Sequence, residues 1–147
     1  MRESPAVRLS PFLLALPVLA ISSCTPPRRD FKEEDQVKAV TGMRDLMWFQ
    51  AAVTDPCFSL ARNKDATKLT EEDYALFRDM ARRLPWAAKR LPETSFSRGP
   101  EFDRLAGEMV TKAAAVETLV SDRDGKGAMG AVLDVESTCR SCHKAFR

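Results

Sequence analysis

The residues of this sequence that could do chemistry stand together near its C-terminus. Cys139, Cys142 and His143 form a CxxCH string, which is the attachment signature of c-type haem. On a helix, thiols at positions i and i+3 lie on one face and can bond to the two vinyl groups of one porphyrin. His143 follows directly, so its imidazole can bind the iron as an axial ligand. The spacing therefore predicts one covalently bound haem c.

Two other interpretations of the same cysteines stay open at this point. Cys139 and Cys142 could form a redox dithiol, although a pair of that class usually follows a strand and opens a helix. Alternatively, Cys57 could join Cys139, Cys142 and His143 in a Cys₃His zinc site, which would need a distant, unpaired cysteine. We expect Cys57 to be a buried thiol without a role. Haem is favoured because the string ends a helical segment in a chain that begins with an export signal.

Length and composition narrow the class of protein. The chain has 147 residues, which predicts one domain. Its 23 Lys and Arg against 21 Asp and Glu give a net charge of +2, so the concentrated basic surface of a nucleic-acid binder is not expected. The single histidine, His143, excludes a bis-histidine haem, a multi-histidine metal centre and an HExxH peptidase.

The N-terminal segment has the features of an export signal. Two arginines precede the short apolar run 11–21, which predicts a signal peptide over residues 1–23. The residues up to Cys24 resemble a bacterial lipobox, so we expect Cys24 to be lipid-modified and 24–30 to be a tether. The mature protein would then lie on the periplasmic side, anchored to a membrane surface. Ordinary cleavage after Ser22 is the alternative, and it would leave a soluble periplasmic protein.

Helical spacing recurs four times after the tether, with almost no pattern typical of strands. The first helix is predicted to open at Asp30 and to end at 55–56, and the second to open at Thr70 and stop at Pro85. The third begins at about Pro100, and the fourth carries the CxxCH string. The apolar stripes are Val37, Val40, Met43, Met47 and Ala51; Tyr74, Phe77, Met80 and Leu84; Phe102, Leu105, Met109, Ala113, Val116 and Val120; and Val132, Val135, Cys139, Cys142 and Phe146. Four such helices predict an all-α, antiparallel four-helix bundle.

With these features the chain resembles the cytochrome c′ family over most of 31–147. The resemblance consists of four helices, haem attachment on the last helix, and a chain that ends as CxxCHxxFR. It implies an up-down-up-down bundle, the topology of that family. It also implies that Cys139 and Cys142 are the thioether anchors, that His143 is the axial ligand, and that Arg147 lies beside the proximal face of the haem.

The resemblance is weaker for the distal face. The first helix of the family usually carries an aromatic-Arg-Gln-x-x-apolar stretch, whose last residue covers that face. The best match is 38–43, which lacks the Arg and the Gln, so Met43 is the expected cover, with Leu46 and Met47 as substitutes. The candidates for a second axial ligand are, besides a lysine, Met43, Met47, Met80, Met109 and Met129.

The two states of the sixth iron position imply two functions. An open, apolar-walled position gives high-spin, five-coordinate iron that binds NO or CO, whereas a methionine ligand gives a low-spin electron carrier. A structural or zinc-stabilised bundle is the third possibility. We do not expect an enzyme, because peroxidase-like chemistry would need polar distal groups. A redox partner protein is expected for electron transfer, and Trp48 or Phe49 could support a homodimer through the first two helices.

Overall fold

The computed structural model describes residues 31–147, and every regular element in this range is helical. The predicted signal peptide, the tether and Cys24 lie outside the described residues. None of the described helices combines the length and the apolarity that crossing a membrane requires. The elements are α1 (Glu34–Lys38), α2 (Met43–Asn63), a 3₁₀ turn (Ala66–Lys68), α3 (Glu71–Ala88), α4 (Pro100–Ser121) and α5 (Gly125–Phe146).

The four long helices form a bundle in which each helix packs against two neighbours. Helices α3 and α5 both contact α2, and both also contact α4. Lys64, just after α2, pairs with Asp73 at the start of α3, and Tyr74 of α3 donates to the Arg123 carbonyl just after α4. Phe102 at the start of α4 contacts Phe146 at the end of α5, so consecutive long helices run antiparallel. The predicted all-α four-helix bundle is therefore confirmed, with the short α1 packed against α3.

One continuous core lies between the helices and uses the predicted stripes of α3 and α4 and most of that of α5. The stripe predicted for the first helix is wrong within α2, where Met43, Met47 and Ala51 are only half-buried and Leu46, Phe49, Val53 and Cys57 form the buried face. The largest fully buried side chains are Phe49, Phe77, Leu46, Met80, Leu84, Leu91, Val37, Val116, Val120, Val132, Val135 and Cys57. Phe49 is fully buried in this core, whereas its neighbour Trp48 is only half-buried. Trp48 is therefore the member of the aromatic pair that lies outside the core.

The first predicted helix is not one continuous helix, and it does not end at 55–56. The chain leaves helical geometry after α1, and α2 begins beyond Gly42, whose backbone is extended (φ −111°, ψ 131°). Pro56 does not end α2, which continues to Asn63. Proline removes one backbone hydrogen bond, but buried Val53 and Cys57 on either side keep the helix against the core. Tertiary packing outweighs the local signal here.

Helix α3 begins as predicted and ends later than predicted. The Thr70 hydroxyl accepts a hydrogen bond from the Asp73 amide, and the Asp73 carboxylate accepts one from the Thr70 amide at 2.7 Å. This capping box satisfies two amides that the first turn would otherwise leave unpaired. Pro85 lies inside the helix, which continues to Ala88 because Leu84 and Ala87 are fully buried.

The turn from α4 to α5 sets the direction of the helix that carries the CxxCH string. Pro100 occupies the first turn of α4, as predicted. At its other end, Arg123 adopts a positive φ of 60°, and the Asp124 amide donates to the Leu119 carbonyl at 3.0 Å. The Asp124 carboxylate then caps α5 by accepting from the Gly127 amide at 2.9 Å. Helix α5 runs without interruption to Phe146.

Candidate functional site

A cavity of about 600 Å³ opens at the end of the bundle where α2 and α4 begin and α5 ends. Its volume lies within the range typical of small-molecule and cofactor sites, about 300–1,000 Å³. The wall is formed by Met43, Arg44, Met47, Trp48, Gln50, Ala51, Leu91, Arg98, Phe102, Met109, Cys142, His143, Phe146 and Arg147. Three of the four long helices therefore contribute to one site.

The α5 wall brings together most of the residues that the sequence assigned to haem. Cys142, His143 and Arg147 all line the cavity. Cys142 is buried at 8% exposure, whereas His143 and Arg147 are exposed at the rim. The Phe146 ring meets Phe102 of α4 edge to face, with ring centroids 5.3 Å apart. This contact holds the end of α5 against the start of α4.

Cys139 lies one turn before Cys142 and just behind the cavity wall. Its Sγ is 3.8 Å from the sulfur of Met109, which does line the cavity. Burial raises the pKa of the Cys139 thiol to about 11, and burial also raises the pKa of Cys142. Both cysteines are free thiols, and both therefore carry their protons at neutral pH.

The third described cysteine has a different environment. As expected, Cys57 is fully buried, and its thiol lies 3.6 Å from the carbonyls of Val53 and Leu76. Burial raises its pKa to about 12. Among residues 31–147, no group of three or more His, Cys, Asp or Glu side chains is arranged to hold a metal ion. The Cys₃His zinc alternative is therefore wrong.

The α2 wall faces the cavity with two methionines and one aromatic ring. Met43, Met47 and Trp48 are each half-buried there. The Arg44 guanidinium lies 5.0 Å from the centroid of the Trp48 ring, close enough for a cation–π contact. Leu46, the other expected substitute, is fully buried in the core and does not line the cavity.

A break before α2 interrupts the stretch 38–43 that the sequence matched to the distal motif. Residues 38–43 do not form one helix, so helical phase cannot be carried across them. Met43 nevertheless lines the cavity, and so do Arg44 and Trp48, which the sequence did not indicate for this site.

Gln50 is the one residue of the α2 wall that is both polar and buried, at 8% exposure. Its Nε2 has no hydrogen-bond partner among the described residues. A buried amide left unpaired typically costs about 1–3 kcal/mol, so this donor suits a cavity that holds a polar acceptor. The α2 wall is therefore not wholly apolar.

Arginines give the rim of the cavity a positive charge. Arg44, Arg98 and Arg147 line it, and none of the described Asp or Glu side chains does. Arg98 also donates from Nη1 to the Phe146 carbonyl at 2.8 Å, which ties the last turn of α5 to the α3–α4 connection. Guanidinium groups bind carboxylates with charge-assisted hydrogen bonds, so this rim suits a ligand with acidic groups.

Three of the five candidate methionine ligands line the cavity. Met43, Met47 and Met109 line it, whereas Met80 and Met129 lie in the core away from it. No lysine of the described chain contributes to the wall. The site thus combines adjacent thiols, a single imidazole, apolar walls, an unpaired amide and an arginine rim. These groups fit a covalently held haem.

Comparison with known proteins agrees with this donor set. A family model described as Cytochrome C′ matches residues 55–147, which is more than half of the chain. The match includes the whole α5 wall and leaves out the α2 wall, from Met43 to Ala51. No curated protein and no solved structure matches the chain.

Proposed function

Because the chain belongs to the cytochrome c′ family and is therefore a c-type haem protein, we propose that it holds one haem c in this cavity, with high-spin, five-coordinate iron that binds NO or CO. One observation carries the proposal. A single cavity joins Cys142 and His143 of α5 to the methionine and tryptophan side chains of α2.

Three residues of α5 would hold the cofactor. The Cys139 and Cys142 thiols would hold the haem as thioethers, each S–H bond adding across one vinyl group so that the hydrogen goes to the other vinyl carbon. The His143 imidazole would bind the iron, and it is the only histidine in the sequence. When bound, the haem would supply an iron that can take a small gas or a methionine.

The rim residues would orient the cofactor. Haem carries two carboxylates, and Arg44 and Arg98 are exposed cations at the mouth of the cavity. Charge-assisted hydrogen bonds from these guanidiniums would keep the acidic edge of the ring toward solvent. Arg147, whose amide donates to the His143 carbonyl at 3.2 Å, would lie beside the proximal side.

The α2 wall supports an open sixth position. No described lysine lines the cavity, and a lysine would have to lose its proton to coordinate. Met43 and Met47 are the thioethers on this wall, and a bulky side chain can cover iron without bonding to it. Trp48 beside them adds bulk, so the cover would admit small gases and exclude larger ligands.

Electron transfer is the second candidate function, favoured by the exposed rim. His143, Arg44, Arg98 and Arg147 are all exposed where the cavity meets solvent. A positive rim would steer a redox partner with an acidic docking face toward the haem edge. We propose such a partner for the electron-transfer role and no catalytic turnover for the gas-binding role.

We also propose that the bundle is held at the periplasmic face of a membrane by lipid on Cys24. The support is the lipobox-like sequence before Cys24, followed by a short tether. Mass spectrometry of the native protein tests this directly. An acylated N-terminal Cys24 is expected, whereas an unmodified N-terminus at Ser23 would mean a soluble periplasmic protein.

The haem assignment is tested by cysteine variants of the full chain made in a host able to attach haem. The double variant Cys139→Ala, Cys142→Ala should lose haem staining after denaturing electrophoresis. Cys57→Ala is the matched control, because it removes a buried thiol that does not line the cavity. Haem that stays covalently bound in the double variant would overturn the assignment.

The iron state is tested by ferric and ferrous spectra and by CO titration of the reduced protein. We expect a high-spin spectrum and stoichiometric CO binding. A low-spin spectrum with a methionine-to-iron charge-transfer band, lost in Met43→Ala but kept in Met80→Ala, would make the protein an electron carrier instead. Met80 is the control because it lies in the core, away from the cavity.

A further inference from the structure

Gln50 is a polar group in the cavity that neither holds nor orients the haem in the proposed function. It lines the α2 wall, it is more than nine-tenths buried, and its Nε2 has no hydrogen-bond partner among the described residues. The other polar side chains of the wall, such as Arg44 and Arg98, are exposed at the rim. Gln50 is thus the one buried neutral donor at the site.

The packing of α2 fixes the position of the Gln50 side-chain amide. Its neighbours Phe49 and Val53 are buried in the core, and its own carbonyl accepts a hydrogen bond from the Thr54 hydroxyl at 2.8 Å. Side chains on a packed helix are positioned more rigidly than those on a loop. Met47 precedes Gln50 by three residues, so both lie on the same face of α2.

Gln50 and His143 line the cavity from different helices. His143 belongs to α5, whereas Gln50 belongs to α2. If His143 bound the iron, a gas on its other side would lie away from the imidazole, and a buried amide is suited to a neutral or weakly charged acceptor. The carboxylates of haem have the exposed arginines as better partners.

We infer that the Gln50 amide donates a hydrogen bond to the outer atom of a diatomic gas bound in this cavity. The inference rests on the proposed function, since it needs an open iron position. It makes the site selective, because a donor stabilises a diatomic ligand more when its outer atom carries more negative charge. The α2 wall would then discriminate by polarity as well as by size.

The experiment uses the full-length, haem-loaded, reduced protein with CO as an infrared probe. In Gln50→Leu the C–O stretching frequency should move to higher wavenumber, and CO affinity should fall about two- to tenfold, the factor of one neutral hydrogen bond. Gln50→Ala, which removes the amide without adding a possible iron ligand, should do the same and serves if Gln50→Leu does not fold. Met80→Leu, in the core away from the cavity, is the matched control and should leave the frequency unchanged.

Each other outcome overturns the inference in a distinguishable way. An unchanged frequency in both Gln50 variants, with CO still bound, rejects the hydrogen bond and leaves the proposed function standing. An unchanged frequency with a shifted reduction potential assigns the amide to a haem carboxylate instead. An equal shift in Met80→Leu makes the effect one of packing. Failure of the wild-type protein to bind CO rejects the proposed function together with this inference.

Discussion

The two ends of the bundle are built from different kinds of contact. At the end where α4 turns into α5, Arg123 is held three times by α3: the Tyr74 hydroxyl donates to its carbonyl at 3.2 Å, the Glu71 carboxylate accepts from its Nη2 at 2.7 Å, and its guanidinium lies 4.8 Å from the Tyr74 ring centroid. At the other end, the wall of the cavity leaves the buried amide of Gln50 unpaired. We call these the closed end and the cavity end.

The difference separates stability from ligand binding. Directional contacts at the closed end fix how α3, α4 and α5 meet, including an arginine in a left-handed conformation that glycine usually adopts. The cavity end keeps the hydrogen bond from Arg98 to Phe146 and the ring contact of Phe102 with Phe146, but it leaves the buried amide of Gln50 available to a ligand. A bundle fixed at one end can keep its cysteines and histidine on a rigid helix while the other end stays open.

The largest expected effect distinguishes a core methionine, Met80, from a cavity methionine, Met47. Met80→Ala should lower the free energy of unfolding by about 2–5 kcal/mol, because Met80 is fully buried in the core. The visible spectrum of the haem-loaded Met80→Ala variant should match that of the wild type. Met47→Ala should cost less stability, since Met47 is only half-buried, but it should change CO affinity.

Denaturant unfolding and CO titration of both haem-loaded variants measure this pair. The separation of the two ends would be wrong if Met47→Ala destabilised the protein as much as Met80→Ala. It would be equally wrong if Met80→Ala altered the spectrum of the haem.

A smaller effect is expected from one hydroxyl at the closed end. Tyr74→Phe removes the hydrogen bond to the Arg123 carbonyl and should lower the free energy of unfolding by about 0.5–1.5 kcal/mol. Thr118→Ala is the control, because it removes an exposed hydrogen bond within α4 and should change stability by less than about 0.5 kcal/mol. Equal losses in the two variants would mean that the closed end is not held by this contact.

Two glycines of α5 test how closely the closed end is packed. A Cβ at Gly130 would have no neighbouring atom within 4 Å, so Gly130→Ala should raise the free energy of unfolding by about 0.5–1 kcal/mol. A Cβ at Gly125 would lie 2.9 Å from both the Ala66 carbonyl oxygen and the Tyr74 hydroxyl, so Gly125→Ala should be destabilising. Thermal unfolding measures both, and a gain at Gly125 would contradict the close approach of α5 to the 3₁₀ turn.

The α5 side of the site could be predicted from the sequence because its information is local. Cys139, Cys142 and His143 lie within five positions of one uninterrupted helix, so helical spacing alone places them together. The caps that set this helix and α3 are also local, as Thr70 shows. The resemblance to the family supplied the topology, and the match to residues 55–147 includes all of these positions.

The α2 side could not be predicted because its placement depends on tertiary packing. The break at Gly42 moved the helical phase, and continuation through Pro56 depends on burial against α3 and α5. The sequence did not indicate Gln50, because a glutamine in an amphipathic helix is normally expected to face solvent. Its spacing of three and seven residues from Met47 and Met43 is the signal that could have found it.

The smallest expected effect is the pH dependence contributed by Asp73 at the closed end. The Lys64 ammonium, which pairs with this carboxylate, and the hydrogen bonds from Thr70 hold the pKa of Asp73 below its ordinary value. A lowered pKa in the folded state means that this carboxylate stabilises the fold above the unfolded pKa, about 3.9, and loses that effect as the pH falls through the folded value. Asp73→Asn should therefore lower the free energy of unfolding by about 0.2–1 kcal/mol at neutral pH, as for an exposed ion pair, and the difference from the wild type should vanish in acid. Lys64→Gln, which removes the cation that pairs with this carboxylate, is the companion variant and should reduce the same pH dependence. Urea unfolding between about pH 2 and pH 7 measures both. A constant difference across that range would mean that Asp73 acts through packing or capping geometry and not through its charge.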